Sequence, residues 1–158
     1  MNRPLLLLMA AAASTAGLGT AASPNEAVVW SGGRLEETAG KLSNSLNQDR
    51  YAIERLGDFS GHSVLLVHRE GNGPAEMHER FTDFYVVRDG KALLRLGGEI
   101  SDAKTTEPGE VRGAEIEGGS TIELQTGDVV DIPPGTAHQI VLEEGQTITY
   151  LILKVEKR

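Results

Sequence analysis

The chain has 158 residues, enough for one domain with a single hydrophobic core, and its 39% hydrophobic and 24% charged content is that of an ordinary globular protein. A formal net charge of −8 argues against a nucleic-acid partner, which needs a basic face to meet phosphate. The absence of cysteine excludes disulfides, thiolate metal sites and thiol nucleophiles.

Residues 1–22 read as an export signal. One basic residue, Arg3, precedes an apolar run from Leu5 to Ala13, and small residues come after it, ending at Ala21 and Ala22. The run is shorter than the roughly 20 apolar residues of a membrane span. The expectation is an exported protein, periplasmic or secreted, with no membrane segment in its mature form.

Residues 23–50 form an N-terminal extension with a short helix. Leu35, Ala39, Leu42 and Leu46 recur at spacings of four, three and four, one stripe of a helix. Ser31 is placed to cap it, Glu36 and Glu37 suit its first turn, and Asn44 to Asp49 end it. The helix is expected on the outside of the C-terminal β region, with Trp30 docked on the body.

Residues 51–158 read as β throughout. Short runs rich in β-branched and aromatic residues, such as HSVLLVHRE, RFTDFYVVRDG, KALLRLGG, HQIVLEEG and TITYLILKV, are bounded by Gly, Asp or Pro. Asp89-Gly90 between two of them is the dipeptide of a tight hairpin. No helical stripe interrupts the series, which argues against parallel βαβ units and predicts an all-β, antiparallel double-sheet barrel or sandwich. In TITYLILKV, Ile148, Tyr150 and Ile152 point one way, and Leu151, Leu153 and Val155 the other. One face fills a barrel. The other needs a cover: a second sheet, the helix, or a second subunit, so a homodimer is expected. Residues 97–119 form the one long irregular stretch, with Glu99, Asp102, Glu107, Glu110, Glu115 and Glu117 against Lys104 and Arg112. It reads as a lid or binding loop, or as a solvated excursion.

Candidate ligands for a metal come from two places. Glu76 and His78 are two apart and share a strand face. Asp83 comes five residues after His78, an odd spacing, and joins them only from a neighbouring strand or past a bend, which Glu79-Arg80 can supply. The stretch GDVVDIPPGTAH then ends a strand in a rigid turn and delivers His138, which shares a face with Ile140 and Leu142. Glu76, His78, Asp83 and His138 together offer two imidazoles and two carboxylates, a set suited to one divalent transition metal: Mn²⁺, Fe²⁺, Ni²⁺ or Zn²⁺. His62 and His68 share a face with Val64 and Leu66, and read either as ordinary surface or core histidines or as one that reaches the pocket; Arg88 and Arg95 lie on strands and read either as solvated or as contacts for an anionic substrate.

These residues resemble the cupin superfamily. Its second signature, Gly-x5-Pro-x-Gly-x2-His, is matched by Gly127, Pro133, Gly135 and His138, with Leu142 where an asparagine is common. Its first is matched in altered form: Glu76 stands at the first histidine, His78 at the second, Asp83 at the glutamate and Gly90 at the closing glycine, with Gly71 one residue out of step. The resemblance covers roughly Tyr51 to Val155. It implies a cupin-like jelly roll in which the Pro-Pro-Gly turn aims His138 into the barrel to meet the first motif. Phe81, Phe84 and Tyr85 would line a small pocket there. It also implies a metal-dependent enzyme on a small organic substrate, of dioxygenase, isomerase or lyase type. The alternatives are an exported protein that binds a small molecule or metal without turnover, and a metal-free structural barrel. The family's common three-histidine-plus-glutamate centre is altered here. His78, Asp83 and His138 form a two-histidine, one-carboxylate set, and Glu76 is either a fourth ligand or a catalytic general base.

Overall fold

The structure, a computed structural model, describes residues 27–157. The export signal expected over residues 1–22 lies outside the described residues. In chain order the elements are α1 (Gly32–Ser43), β1 (Tyr51–Phe59), β2 (His62–Arg69), β3 (Ala75–His78), β4 (Phe81–Leu96), β5 (Glu99–Ile100), β6 (Lys104–Glu107), β7 (Glu110–Gly113), β8 (Ile116–Glu117), β9 (Ser120–Gln125), β10 (Val129–Ile132), β11 (His138–Val141) and β12 (Ile148–Glu156).

All strand pairs are antiparallel. They form two facing layers. One has β2 between β1 and β12, with β12 and β10 on the first half of β4. The other has β9 and β11 on the second half of β4, then β3, β7 and β6. The alternation of each strand sends one row of side chains between the layers. Val67, Tyr85, Val87, Leu94, Leu124, Ile132, Ile140, Ile148 and Tyr150 meet there in one buried core.

β4 is the seam of the fold, and it corrects one expectation. Asp89-Gly90 is not a hairpin; the strand runs on from Phe81 to Leu96. Gly90 has φ +81°, and a β-carbon on it would lie 2.1 Å from the Thr147 carbonyl oxygen. The register against β12 slips beside it, between Thr149 and Tyr150. A glycine in this conformation next to a bulge bends a strand without ending it, so the dipeptide marks the corner where β4 passes from one layer to the other.

The helix lies on the outer face of β1 and β2. Leu42 packs there with Ala52 and Leu66, and Ala39, Leu46 and Leu151 close the cluster. The outward row of β2 and β12 is thus covered in part by the chain itself. Ser31 caps the helix by accepting from the Arg34 amide at 3.3 Å. Glu36 and Glu37 fall beyond the first turn, which holds no acid. Trp30 meets Phe59 edge to face at 6.2 Å, at the end of β1. No helix of the described residues is long and apolar enough to cross a membrane.

The stretch 97–119 is a second correction. It is not irregular. β6 and β7 form a hairpin added to the edge of β3, and β5 pairs with β8. Its alternation was hidden by its acids, because β6 is exposed on both faces.

Candidate metal centre

Register decides which side chains meet. His138 on β11 stands opposite Glu76 on β3, and His78 is two residues past Glu76, so all three face the interior together. Asp83 arrives from the other layer. The chain bends at Glu79-Arg80 between β3 and β4, and this bend converts the odd spacing into a shared interior position.

The Pro-Pro-Gly stretch sets His138. The Thr136 amide bonds to the Pro133 carbonyl at 3.2 Å, and Gly135 has φ +80°. With Pro134 before that glycine, this is a type II turn, which needs a residue at positive φ in its third place. The Gly135 amide also bonds to the His78 carbonyl at 2.8 Å, tying the turn to β3. His138 Nδ1 donates to the Thr136 carbonyl at 3.0 Å. The proton therefore sits on Nδ1, and Nε2 presents its lone pair inward.

Glu76, His78 and His138 each offer one ligand atom within 4.8 Å of the others. The Nε2 atoms of His78 and His138 lie 3.3 and 3.7 Å from Asp83 Oδ2, and 3.9 and 3.7 Å from the carboxylate oxygens of Glu76. Ligands bound at about 2.0–2.2 Å stand roughly 3–4 Å apart, so the two imidazoles are spaced for one ion with either carboxylate, and the three side chains that stand together at ligand distance are Glu76, His78 and His138. His138 Nε2 is buried without a hydrogen-bond partner. A buried polar atom so placed is costly unless something completes it, and a divalent cation among these donors would do so. The residues present therefore fit the ion.

Each donor has its own support, again supplied by register. Glu110 stands opposite His78, and its Oε2 accepts from His78 Nδ1 at 2.5 Å. Arg112 stands opposite Glu76 and donates to its Oε2. Lys154 stands opposite Asp83 and donates to its Oδ1 at 3.2 Å. Contacts of this kind fix the orientation of the donor side chains. Burial pushes the Asp83 carboxyl up, but the His78 imidazole and the Lys154 ammonium beside it reverse this and hold it far below the usual carboxylate range. Burial opposes charge on His78, and the bond to Asp83 and its negative charge outweigh it, so that imidazole holds a proton more tightly than usual.

Under the donors the interior is aromatic. Tyr85 meets His138 edge on at 6.2 Å and lies 5.0 Å from Tyr150, to which Arg69 Nε donates at 3.1 Å. Tyr85 thus joins the site, as expected, while Phe84 has the opposite parity and Phe81 lines a cleft beside the donors. His62 stacks on Phe59 at 4.8 Å, and His68 lies under the helix side with Nδ1 2.8 Å from Thr149 Oγ1. Neither meets the set. Glu110, Arg112, Lys154 and Thr136 were not singled out from the sequence. For Arg112 and Glu110 the signal is their alternate spacing, visible only once the acidic stretch is read as a strand.

No protein-family model matches the chain, and no curated protein does. Solved structures do. A double-stranded β-helix domain protein from Klebsiella pneumoniae superposes with a TM-score of 0.59 at 13% identity, over 84% of this chain and 93% of that one. A protein from Thermus thermophilus gives 0.52 at 15% identity, over 75% and 94%. The polyketide cyclase RemF from Streptomyces resistomycificus gives 0.49 at 20% identity, and this chain, over 67% of its length, spans 65% of that protein. The likenesses above 0.5 show the fold, a double-stranded β-helix.

Proposed function

We propose that this chain, whose fold is the cupin double-stranded β-helix, holds one divalent transition metal through His78, His138, Asp83 and Glu76, and uses it in an enzyme that acts on a small organic substrate. The observation that carries the reading is His138 Nε2, buried, unpartnered and converging with His78 Nε2 on two carboxylates. Both histidines have their other nitrogen engaged, by Thr136 and by Glu110. That arrangement fixes the tautomer a ligand needs. When bound, the ion supplies a Lewis acid or a site for activating oxygen, the chemistry behind dioxygenase, isomerase and lyase reactions.

The remaining roles belong to the chain's own residues. Tyr85 and Tyr150 close the site from below and keep water out; burial holds both phenols neutral. Glu76 is the donor most open to solvent, with 16% of its side chain exposed against 2% to 4% for the other three. It is the group placed to take a proton from a bound substrate. A Glu76→Gln protein that retains metal and loses turnover supports this role; one that loses its metal makes Glu76 a ligand only.

A second reading has its own observation. Arg112 and Lys154 already pair with the two carboxylates, so in a metal-free barrel both acids of the centre are neutralised. Elemental analysis of purified protein separates the two. We further propose that the mature protein is exported, after cleavage near Ala22, and that it pairs as a homodimer; sedimentation at micromolar concentration tests the pairing.

A further inference from the structure

Arg112 and Lys154 do more than hold the carboxylates. Both also line a cleft of about 460 Å³ that opens between the β1–β2 turn and the β6–β7 hairpin, with Arg80 and Phe81 on the same wall. The inner end of this cleft is made by groups that each touch one metal donor: Glu110 on His78, Arg112 on Glu76 and Lys154 on Asp83.

The charges in the cleft depend on what neutralises the donors. Without a metal, Arg112 is committed to Glu76 and Lys154 to Asp83. Arg55 is paired with Asp58 at 3.2 Å, and Glu110 with His78. Among the described residues Arg80 has no ion-pair partner, and the acids Glu107 and Glu156 stand on the same lining. One free cation then faces two acids. With a divalent ion among the four donors, Glu76 and Asp83 are neutralised without Arg112 or Lys154. Arg112 and Lys154 then join Arg80, against Glu107, Glu156 and a Glu110 whose partner His78 is neutral as a ligand, so the excess of acid in the cleft is lost and two cations are freed to face it.

We infer that this cleft takes a small anion, a carboxylate- or phosphate-bearing molecule, and takes it only after the metal centre is filled, with Arg112 and Lys154 released from the carboxylates to receive it. Phe81 offers the apolar part of such a molecule a face: the Lys154 ammonium lies 5.3 Å from its ring centre and the Arg80 guanidinium 5.8 Å. The inference rests on the metal reading above and adds the substrate class and the order of binding.

Calorimetric titration tests it, with inorganic phosphate and malonate as separate probes, on chelator-treated and Mn²⁺-loaded full-length protein whose metal content is measured in the same samples. The loaded form should bind one of the probes at least about tenfold more tightly, and the probe that binds distinguishes phosphate from carboxylate recognition. Arg112→Gln and Lys154→Gln, each loaded, should lose about tenfold or more, while Arg88→Gln, outside the cleft, should not. Direct attachment of the anion to the metal alone would leave both cleft variants unchanged and would overturn the inference. So would equal affinity with and without metal in protein shown to hold it. Protein that holds no Mn²⁺ at all instead removes the metal reading, and the inference with it.

Discussion

His138 Nε2 lies 3.7 Å from Asp83 Oδ2, although His138 stands in the layer of β3 and β11 and Asp83 in the layer of β12 and β10. The contact spans the barrel. Three local features produce it: the type II turn before His138, the bend at Glu79-Arg80, and the register that sets His138 opposite Glu76. None of the three is a property of the donors themselves. The centre is a product of the backbone around it.

The outer contacts should therefore matter nearly as much as the donors. Glu110→Gln keeps the size of the side chain but replaces the carboxylate that accepts from His78 Nδ1 at 2.5 Å. Metal affinity should fall by about 10- to 100-fold, the usual cost of losing such a partner. Competition with a chelator of known affinity reads the change. Affinity equal to wild type would show that Glu110 does not orient His78.

Stability of the metal-free protein should depend on pH in a definite way. His78 has a pKa raised above 6.5, so its contribution is complete below that value and fades as pH rises through the folded-state pKa. Asp83 has a pKa lowered from 3.8, so its contribution is complete above that value and fades as pH falls toward the folded-state pKa. Between these two limits both are present, and thermal melts should show a plateau of highest stability there. The proton on His78 also competes with the metal, so metal affinity should weaken as pH falls through a value above 6.5. Metal affinity that stays constant from neutral pH down to pH 5 would contradict the role of His78 as a donor.

Much of this was legible in the sequence. The alternation in TITYLILKV predicts its two faces, and Ile148 and Tyr150 are in the core while Leu151 packs toward the helix. Leu35, Ala39 and Leu42 predict the helix and its buried side, while Leu46, past its end at Ser43, packs on the same cluster from the loop. The spacing of the Gly-Pro-Gly-His motif predicts a turn that aims a histidine, and the turn does so. What was missed has a common cause. Asp89-Gly90 carries the chemistry of a hairpin, but the same positive φ serves a corner, and only the partner strand decides between them. The strands β6 and β7 are short and charged, and they gain their structure from pairing with β3 and not from their own pattern.

The corner at Gly90 gives a further test. Gly90→Ala puts a β-carbon 2.1 Å from a backbone oxygen, at φ +81°. The strained conformation alone costs about 1–2 kcal/mol, and the clash adds to it. Denaturant unfolding should show a loss of at least about 2 kcal/mol. A loss below about 0.5 kcal/mol, the range of neutral surface changes, would mean that the corner does not depend on glycine.

Export has a direct readout. The full-length chain, expressed in a host that processes such signals, should be recovered from the exported fraction with its first residue near Ala22 or Ser23. Intact-mass analysis gives the answer. A soluble chain that still begins at Met1 would sink the proposal.

His78 and His138 should share one metal ion. Elemental analysis after refolding with Mn²⁺, Fe²⁺, Ni²⁺ or Zn²⁺ should find about one ion per chain, and His78→Ala or His138→Ala should each remove most of it. His62→Ala and His68→Ala, whose rings lie away from the set, should keep the wild-type content. Wild-type protein that retains none of the four metals, or control variants that lose as much as His138→Ala, would contradict the account.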